Sequence, residues 1–219
     1  MFNEVEGLSR RLPVYLLLDR SGSMFGEPIE AVKQGVKYMI SELKKEPQAI
    51  ETAYISVITF GSDARQDVQL TELAAFKEPQ IEANGTTSLG AALHILNNCF
   101  DNEVRKSTPT QKGDYKPLVF IMTDGEPTDD WENAAREIKQ KSGKVANIVA
   151  VGCGPDVNTD TLKKITDIVL LMSSYQPEDF KQFFRWVSQS VKQASIKFTK
   201  DSDQPTNLPA PPPTIQIIP

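Results

Sequence analysis

The stretch Pro13-Val14-Tyr15-Leu16-Leu17-Leu18-Asp19-Arg20-Ser21-Gly22-Ser23-Met24 decides how this 219-residue chain is read. It opens as an unbroken apolar run that stops at a carboxylate, the pattern of a strand buried on both faces of a sheet and ending at its edge. Beyond the polar turn, apolar side chains recur at Ile29, Val32, Val36, Met39, Ile40 and Leu43. Spacings of three and four make one helical face, and Pro28 is tolerated in a first turn. The helix is expected to stop before Pro47.

The same alternation continues. Ala53 to Phe60 is rich in β-branched and aromatic residues and reads as a second strand, with Asp67 to Thr71 a shorter edge strand. A helix begins near Ser88, with Leu89, Ala92, Leu93, Leu96 and Phe100 on one face, and gives way to a polar loop, Lys106 to Lys116, expected to be mobile. Pro117 to Thr123 is a second apolar run halted by Asp124-Gly125. Then come a helix over Asp130 to Ser142, a buried strand over Val145 to Gly152, a short helix over Asp160 to Ile165 and a strand over Ile168 to Met172. From Pro177 the residues Phe180, Phe183, Phe184, Val187 and Val191 form an amphipathic helix running to about Ser195.

This order predicts an α/β, doubly wound fold: a mostly parallel sheet covered by helices on both faces, with one antiparallel edge strand. Residues 1–11 form an N-terminal extension, 12–198 the domain, and 199–219 a Pro-rich flexible tail. Asp201 to Pro219 holds six prolines, three of them consecutive at Pro211-Pro212-Pro213.

Composition narrows the function. A net charge of −5 argues against a general affinity for nucleic acid or anionic membrane. Two cysteines, Cys99 and Cys153, make no disulfide framework and no C-x-x-C pair, and both are expected to be small buried residues in a reduced chain. The first residues are acidic where a signal peptide is basic, and Val14 to Leu18 is far short of the roughly 20 residues that span a bilayer. A cytoplasmic protein is expected.

Three loops fall at the carboxyl edge of such a sheet, where binding sites form. They are Asp19-Arg20-Ser21-Gly22-Ser23, Gly85-Thr86-Thr87-Ser88 and Thr123-Asp124-Gly125. Their carboxylates and hydroxyls are hard oxygen donors, suited to a small octahedral cation such as Mg²⁺ that keeps some waters. Zn²⁺ would favour His or Cys, and these loops carry neither. A site with few anionic ligands leaves the ion electrophilic, so a carboxylate from another protein can complete it, and no nucleophile is required.

These motifs, in this order, resemble the metal-ion-dependent adhesion site of von Willebrand factor A domains: D-x-S-x-S at Asp19-Arg20-Ser21-Gly22-Ser23, a threonine in Gly85-Thr86-Thr87-Ser88-Leu89-Gly90-Ala91-Ala92-Leu93, and Thr123-Asp124-Gly125. The similarity spans Leu12 to about Ser195. It implies Ser21, Ser23 and Thr87 as direct ligands and Asp19 and Asp124 as ligands acting through water, for Mg²⁺ or Mn²⁺, with Ca²⁺ as a further candidate. Counting back six residues from Leu93 along the family pattern selects Thr87 over the adjacent Thr86. Arg20, Met24, Thr86, Gly125 and Glu126 are candidate partner contacts, Arg20 being either a steering charge or an ordinary solvent-facing arginine. Glu126 and Asp129 also read as capping or solvated charges beside the next helix. The stretch Asp124 to Trp131 further resembles the bacterial TerY-like proteins of tellurium-resistance and stress operons. That implies partnership with a protein kinase and a PP2C-type phosphatase.

Asp-x-Ser-x-Ser also arises in solvated turns, and only the combination with Thr87 and Asp124 argues against that reading. The enzyme alternatives each lack a part. A haloacid-dehalogenase-type phosphatase needs an aspartate where Ser21 stands, and a Ser-His-Asp hydrolase needs a histidine when the sole candidate is His94, on the polar side of its helix. Gly152-Cys153-Gly154-Pro155 lacks the P-loop lysine. A partner of an AAA+ ATPase in metal insertion is the remaining alternative.

Overall fold

A computed structural model describes residues 10–155, 157–199 and 208–219. Its sheet has seven strands in the order β3-β2-β1-β4-β5-β6-β7. The central strand β1, Leu12–Asp19, is buried along its whole length and pairs in parallel with β2, Ala53–Phe60, on one side and β4, Leu118–Thr123, on the other. β5, Asn147–Cys153, and β6, Ile168–Met172, extend the parallel run.

Alternate residues of β1 feed two cores. Leu12, Val14, Leu16 and Leu18 join the core under α1, Glu27–Leu43, and α6, Pro177–Thr199. Tyr15 and Leu17 join the core under α3, Leu89–Asn102, α4, Glu132–Lys141, and α5, Thr159–Lys163. A strand that must fill both cores has no position for a polar side chain until it leaves the sheet, which is why the apolar run is continuous.

Four details depart from the sequence reading. Pro47 does end α1, but it also occupies the first turn of a short helix, α2, Pro47–Thr52, where its missing N–H costs nothing. The expected edge strand is longer, β3, Ala64–Glu72, antiparallel to β2 with irregular register between Ile55 and Ile58. The polar loop expected to be mobile is fastened at its far end, since Arg11 donates to both Asp114 carboxylate oxygens, at 2.9 and 2.6 Å, and Arg10 to Gly113 O at 2.8 Å.

The fourth departure concerns the tail. Residues 201–207 lie outside the described residues, but 208–219 are not a free tail: β7, Ile215–Ile218, pairs antiparallel with β6, so both sheet edges are antiparallel. Ile215 is buried, Leu208 packs on the core, and the Trp186 indole N–H donates to Pro209 O at 2.9 Å. Three prolines cannot join a ladder, and here they lead the chain to one.

α1 and α6 approach closely at Gly35 of α1. A β-carbon there would come within 2.0 Å of the Phe184 ring on α6, and Phe184 is fully buried. Gly35→Ala adds helix propensity yet is expected to destabilise the fold by roughly 1–3 kcal/mol through overpacking. Urea unfolding decides between the two effects, and a gain in stability would show that α1 and α6 can move apart freely.

Candidate metal centre

The chain crosses from the β2 side of the sheet to the other side between β1 and β4, so their carboxyl ends flank the switch point where α/β folds bind ligands. Parallel register sets Leu18 beside Met122, which brings Asp19 next to Thr123 and Asp124. Asp19 is wholly buried. One carboxylate oxygen accepts from the Ser21 N–H at 2.7 Å and the other from the Thr123 hydroxyl.

A 3-10 turn over Gly22–Met24 then folds Ser23 back over Ser21, their hydroxyl oxygens 3.0 Å apart. The Ser23 hydroxyl donates to Asp124 Oδ1 at 2.8 Å, joining the end of β1 to the end of β4. The Tyr175 hydroxyl approaches Asp124 Oδ2 at 3.5 Å.

The third loop is fastened to both. Gly85 O accepts from the Gly22 N–H at 2.8 Å, and Arg20 O accepts from the Asn84 N–H at 2.7 Å. Gly85 sits at φ 74°, a left-handed conformation, with the Ser62 hydroxyl filling the space a side chain would take. Thr87 is held from both of its backbone groups. Its N–H donates to the Thr128 hydroxyl at 3.1 Å, and its carbonyl accepts from the Thr128 N–H at 2.9 Å. A β-carbon built on Gly125 would lie 3.3 Å from Thr87 Oγ1, so the hydroxyl faces the Asp124-Gly125 turn. Thr87 is 5% exposed, whereas Thr86 is exposed.

The five residues Asp19, Ser21, Ser23, Thr87 and Asp124 therefore converge. Burial raises the Asp19 carboxyl to about 6, opposed by its hydrogen bonds from Ser21 and Thr123, with Asp124 adding repulsion. Burial likewise raises Asp124. Among the described residues neither carboxylate has a Lys or Arg partner, and no group of three His, Cys, Asp or Glu side chains gathers here or elsewhere, so the two acids are joined only by hydroxyl oxygens. Two buried acids without a cation suit a divalent ion. The oxygen separations of 3.0 and 2.8 Å are hydrogen-bond lengths, and they also match neighbouring vertices of an octahedron about a cation at 2.0–2.1 Å, roughly 2.9 Å. Two carboxylates among neutral hydroxyls are the kind of oxygen donor set that Mg²⁺ or Mn²⁺ takes.

The five candidate partner contacts divide. Thr86 and Glu126 are exposed beside the site and Gly125 is partly exposed, Glu126 accepting from the Thr161 hydroxyl at 2.9 Å. Met24 is wholly buried in the core, so it is not a contact. Arg20 is neither a steering charge nor solvent-facing. It is 2% exposed, ion-paired with Asp63, and it donates to Asn84 Oδ1 at 2.9 Å and Thr59 Oγ1 at 3.3 Å. Its partners come from distant segments, which local sequence does not reveal.

A model of the von Willebrand factor type A domain matches residues 14–201. The chain belongs to this family. Protein sll0103 of Synechocystis sp. is 28% identical over 201 residues, covering 85% of this chain and 44% of that protein. Inter-alpha-trypsin inhibitor heavy chain H2 of Mesocricetus auratus is 24% identical over 70% of this chain and 17% of its own length. The chain thus spans less than half of these relatives. Among solved structures, a von Willebrand factor type A protein from Catenulispora acidiphila aligns with a TM-score of 0.62 at 22% identity, over 84% of this chain and 43% of that one. Proximal thread matrix protein 1 from the mussel byssus, with a zinc-occupied MIDAS motif, aligns at 0.56 and 17% identity, over 85% and 46%.

Asp129 was expected to cap or flank its own helix. Instead its carboxylate accepts from the N–H groups of Gly90 and Ala91, at 3.0 and 2.9 Å, and so caps α3, whose Ser88 makes no side-chain cap. This clamp also fixes the approach to Thr87. Asp129→Ala is expected to cost roughly 1 kcal/mol or more in urea unfolding, and Asp129→Asn less. Equal stability of Asp129→Ala and the parent would contradict the capping role.

Proposed function

We propose that this domain is a metal-dependent protein-binding module in which Asp19, Ser21, Ser23, Thr87 and Asp124 hold one Mg²⁺ or Mn²⁺. When bound, the ion supplies an electrophilic coordination position for a partner's Asp or Glu. The observation that carries the reading is the Ser23 to Asp124 contact, which joins two loops a hundred residues apart around buried, uncompensated carboxylates.

The roles follow from the surroundings. Asp19, wholly buried, accepts the Ser21 N–H and the Thr123 hydroxyl, and so orients both loops toward one point. Ser21, Ser23 and Thr87 add neutral oxygens, which leave the ion's charge incompletely neutralised. Arg20, through Asp63 and Asn84, keeps the first and third loops in register.

The reading is one of binding without turnover. His94 is exposed on α3 and hydrogen-bonds neither Ser21 nor Ser23, whose hydroxyls bond each other and Asp124. A binding protein in the cytoplasm is the reading we adopt, and the two buried, unpaired cysteines are compatible with it. No helix among the described residues is long and apolar enough to cross a membrane. Membership of a complex with a protein kinase and a PP2C-type phosphatase, in a stress or tellurium-resistance response, is the narrower form of the proposal. It is supported by the Asp124 to Trp131 stretch, and it predicts that both enzymes are recovered in a pull-down with Mg²⁺ and lost with chelator.

Asp19→Ala or Asp124→Ala is expected to lower Mn²⁺ affinity in calorimetry by at least about tenfold while circular dichroism keeps the native helix signal. Metal at a hundredfold excess over the parent's dissociation constant should stabilise the parent by about 2.7 kcal/mol and each variant by no more than about 1.4 kcal/mol. Undiminished affinity in either variant would remove these residues from the site. Metal-dependent hydrolysis of a phosphoester or peptide that disappears in His94→Ala would overturn the binding-only reading.

A further inference from the structure

Phe25 follows directly after the turn that carries Ser23, and it is 78% exposed while its neighbour Met24 is wholly buried. Its backbone is held. Its N–H donates to Gly22 O at 3.1 Å, and Gly26 turns the chain at φ 87° into α1 immediately afterwards. An exposed aromatic ring on a held stretch of backbone is thus displayed within two residues of the candidate metal centre.

The ring forms one wall of a groove of about 430 Å³, with Ile29 and Ala83 as its other apolar surfaces. Its rim is acidic, from Glu27, Glu30 and Glu82, against one lysine, Lys33, which bonds Glu30 at 2.7 Å. Glu27 and Glu82 form no ion pair among the described residues and are exposed. The far wall, Glu82-Ala83, runs into Asn84 and Gly85, the same residues that bond Arg20 O and Gly22 N. Both walls of the groove therefore continue along the chain into loops of the candidate metal centre, and successive Cα atoms 3.8 Å apart place Phe25 no more than roughly 8 Å along the chain from Ser23.

We propose that the partner segment supplying the carboxylate also carries an arginine roughly two to four residues away, and that this arginine lies over Phe25 with its charge facing Glu27 and Glu82. The inference rests on the metal-binding reading above and adds the chemistry of the partner to it. A uniformly acidic segment would meet two unpaired glutamates well within a Debye length of its anchor, whereas a segment of mixed sign satisfies both the ion and the rim. Arginine fits better than lysine, because its planar guanidinium stacks on an aromatic face while its edge donates to carboxylates.

The probe is a peptide-display library of short random sequences around one fixed glutamate, selected on the full chain in Mn²⁺ and eluted with EDTA. Arginine near the fixed glutamate should be enriched roughly fivefold over the input. The enrichment should fall to input level with Phe25→Ala and with the double variant Glu27→Gln/Glu82→Gln, while EDTA-eluted capture continues. EDTA-sensitive capture without arginine enrichment, or enrichment that persists in both variants, overturns the groove assignment and leaves the metal reading standing. Capture indifferent both to EDTA and to glutamine in place of the fixed glutamate overturns the metal reading and this inference with it. All three positions are exposed, and the melting temperature of each variant verifies that the fold is kept.

Discussion

Asp19 ends a strand that has no exposed residue, and its carboxylate is carried into the sheet edge with nothing cationic beside it. Burial holds the carboxyl near 6, against about 4 in an unfolded chain. The fold therefore favours the protonated form. The stability this group gives is fully present below pH 4 and is lost as pH rises through 6, an effect of roughly 3 kcal/mol. At neutral pH the ionised carboxylate works against the fold, and a divalent ion held as proposed would offset that cost, so metal binding and stability would be coupled through one buried carboxylate.

The same constraint organises the surrounding loops. A charge at the end of β1 can be kept only if every other donor near it is aimed inward, so the Ser21 N–H, the Thr123 hydroxyl and the Ser23 hydroxyl are all committed to Asp19 or Asp124. Holding those donors requires a second layer of contacts: Arg20 to Asp63 and Asn84, Gly22 to Gly85, Thr128 to Thr87, and Asp129 to the start of α3. Each contact joins segments that are far apart in the chain. The site is rigid because its supports come from β2, α3 and the loop after β4 together.

This division explains what could be read from sequence. The strands and helices were legible because a run buried on both faces must be continuously apolar and a one-sided helix must repeat at three and four. The five oxygen-bearing residues were legible because strand ends and loop order place them at one edge. Long-range partners were not. Nothing near Arg20 announces that Asp63 and Asn84 will bury it, and Asp129 lies beside one helix while capping another. Met24 looks like a surface residue of a polar turn, yet the 3-10 geometry rotates it into the core beneath α1. In the tail, consecutive prolines outweighed Ile215-Gln216-Ile217-Ile218, a run too short to assert itself until β6 offers it an edge.

The oxygens of the centre are graded in depth, and the gradient gives the site a direction. Asp19 is at 0% exposure, Ser21 at 2% and Asp124 at 8%, whereas Ser23 is exposed. The Ser23 side is the open one, since Asp19 and Asp124 lie at the ends of the buried strands β1 and β4. That side is flanked by exposed Phe25 and the Glu27 and Glu82 rim on one hand, and by Thr86 and Glu126 on the other. On the proposed reading, a partner carboxylate would meet glutamates on both flanks, so the ion would have to supply the field that draws it, and charge alone would favour the metal-loaded state.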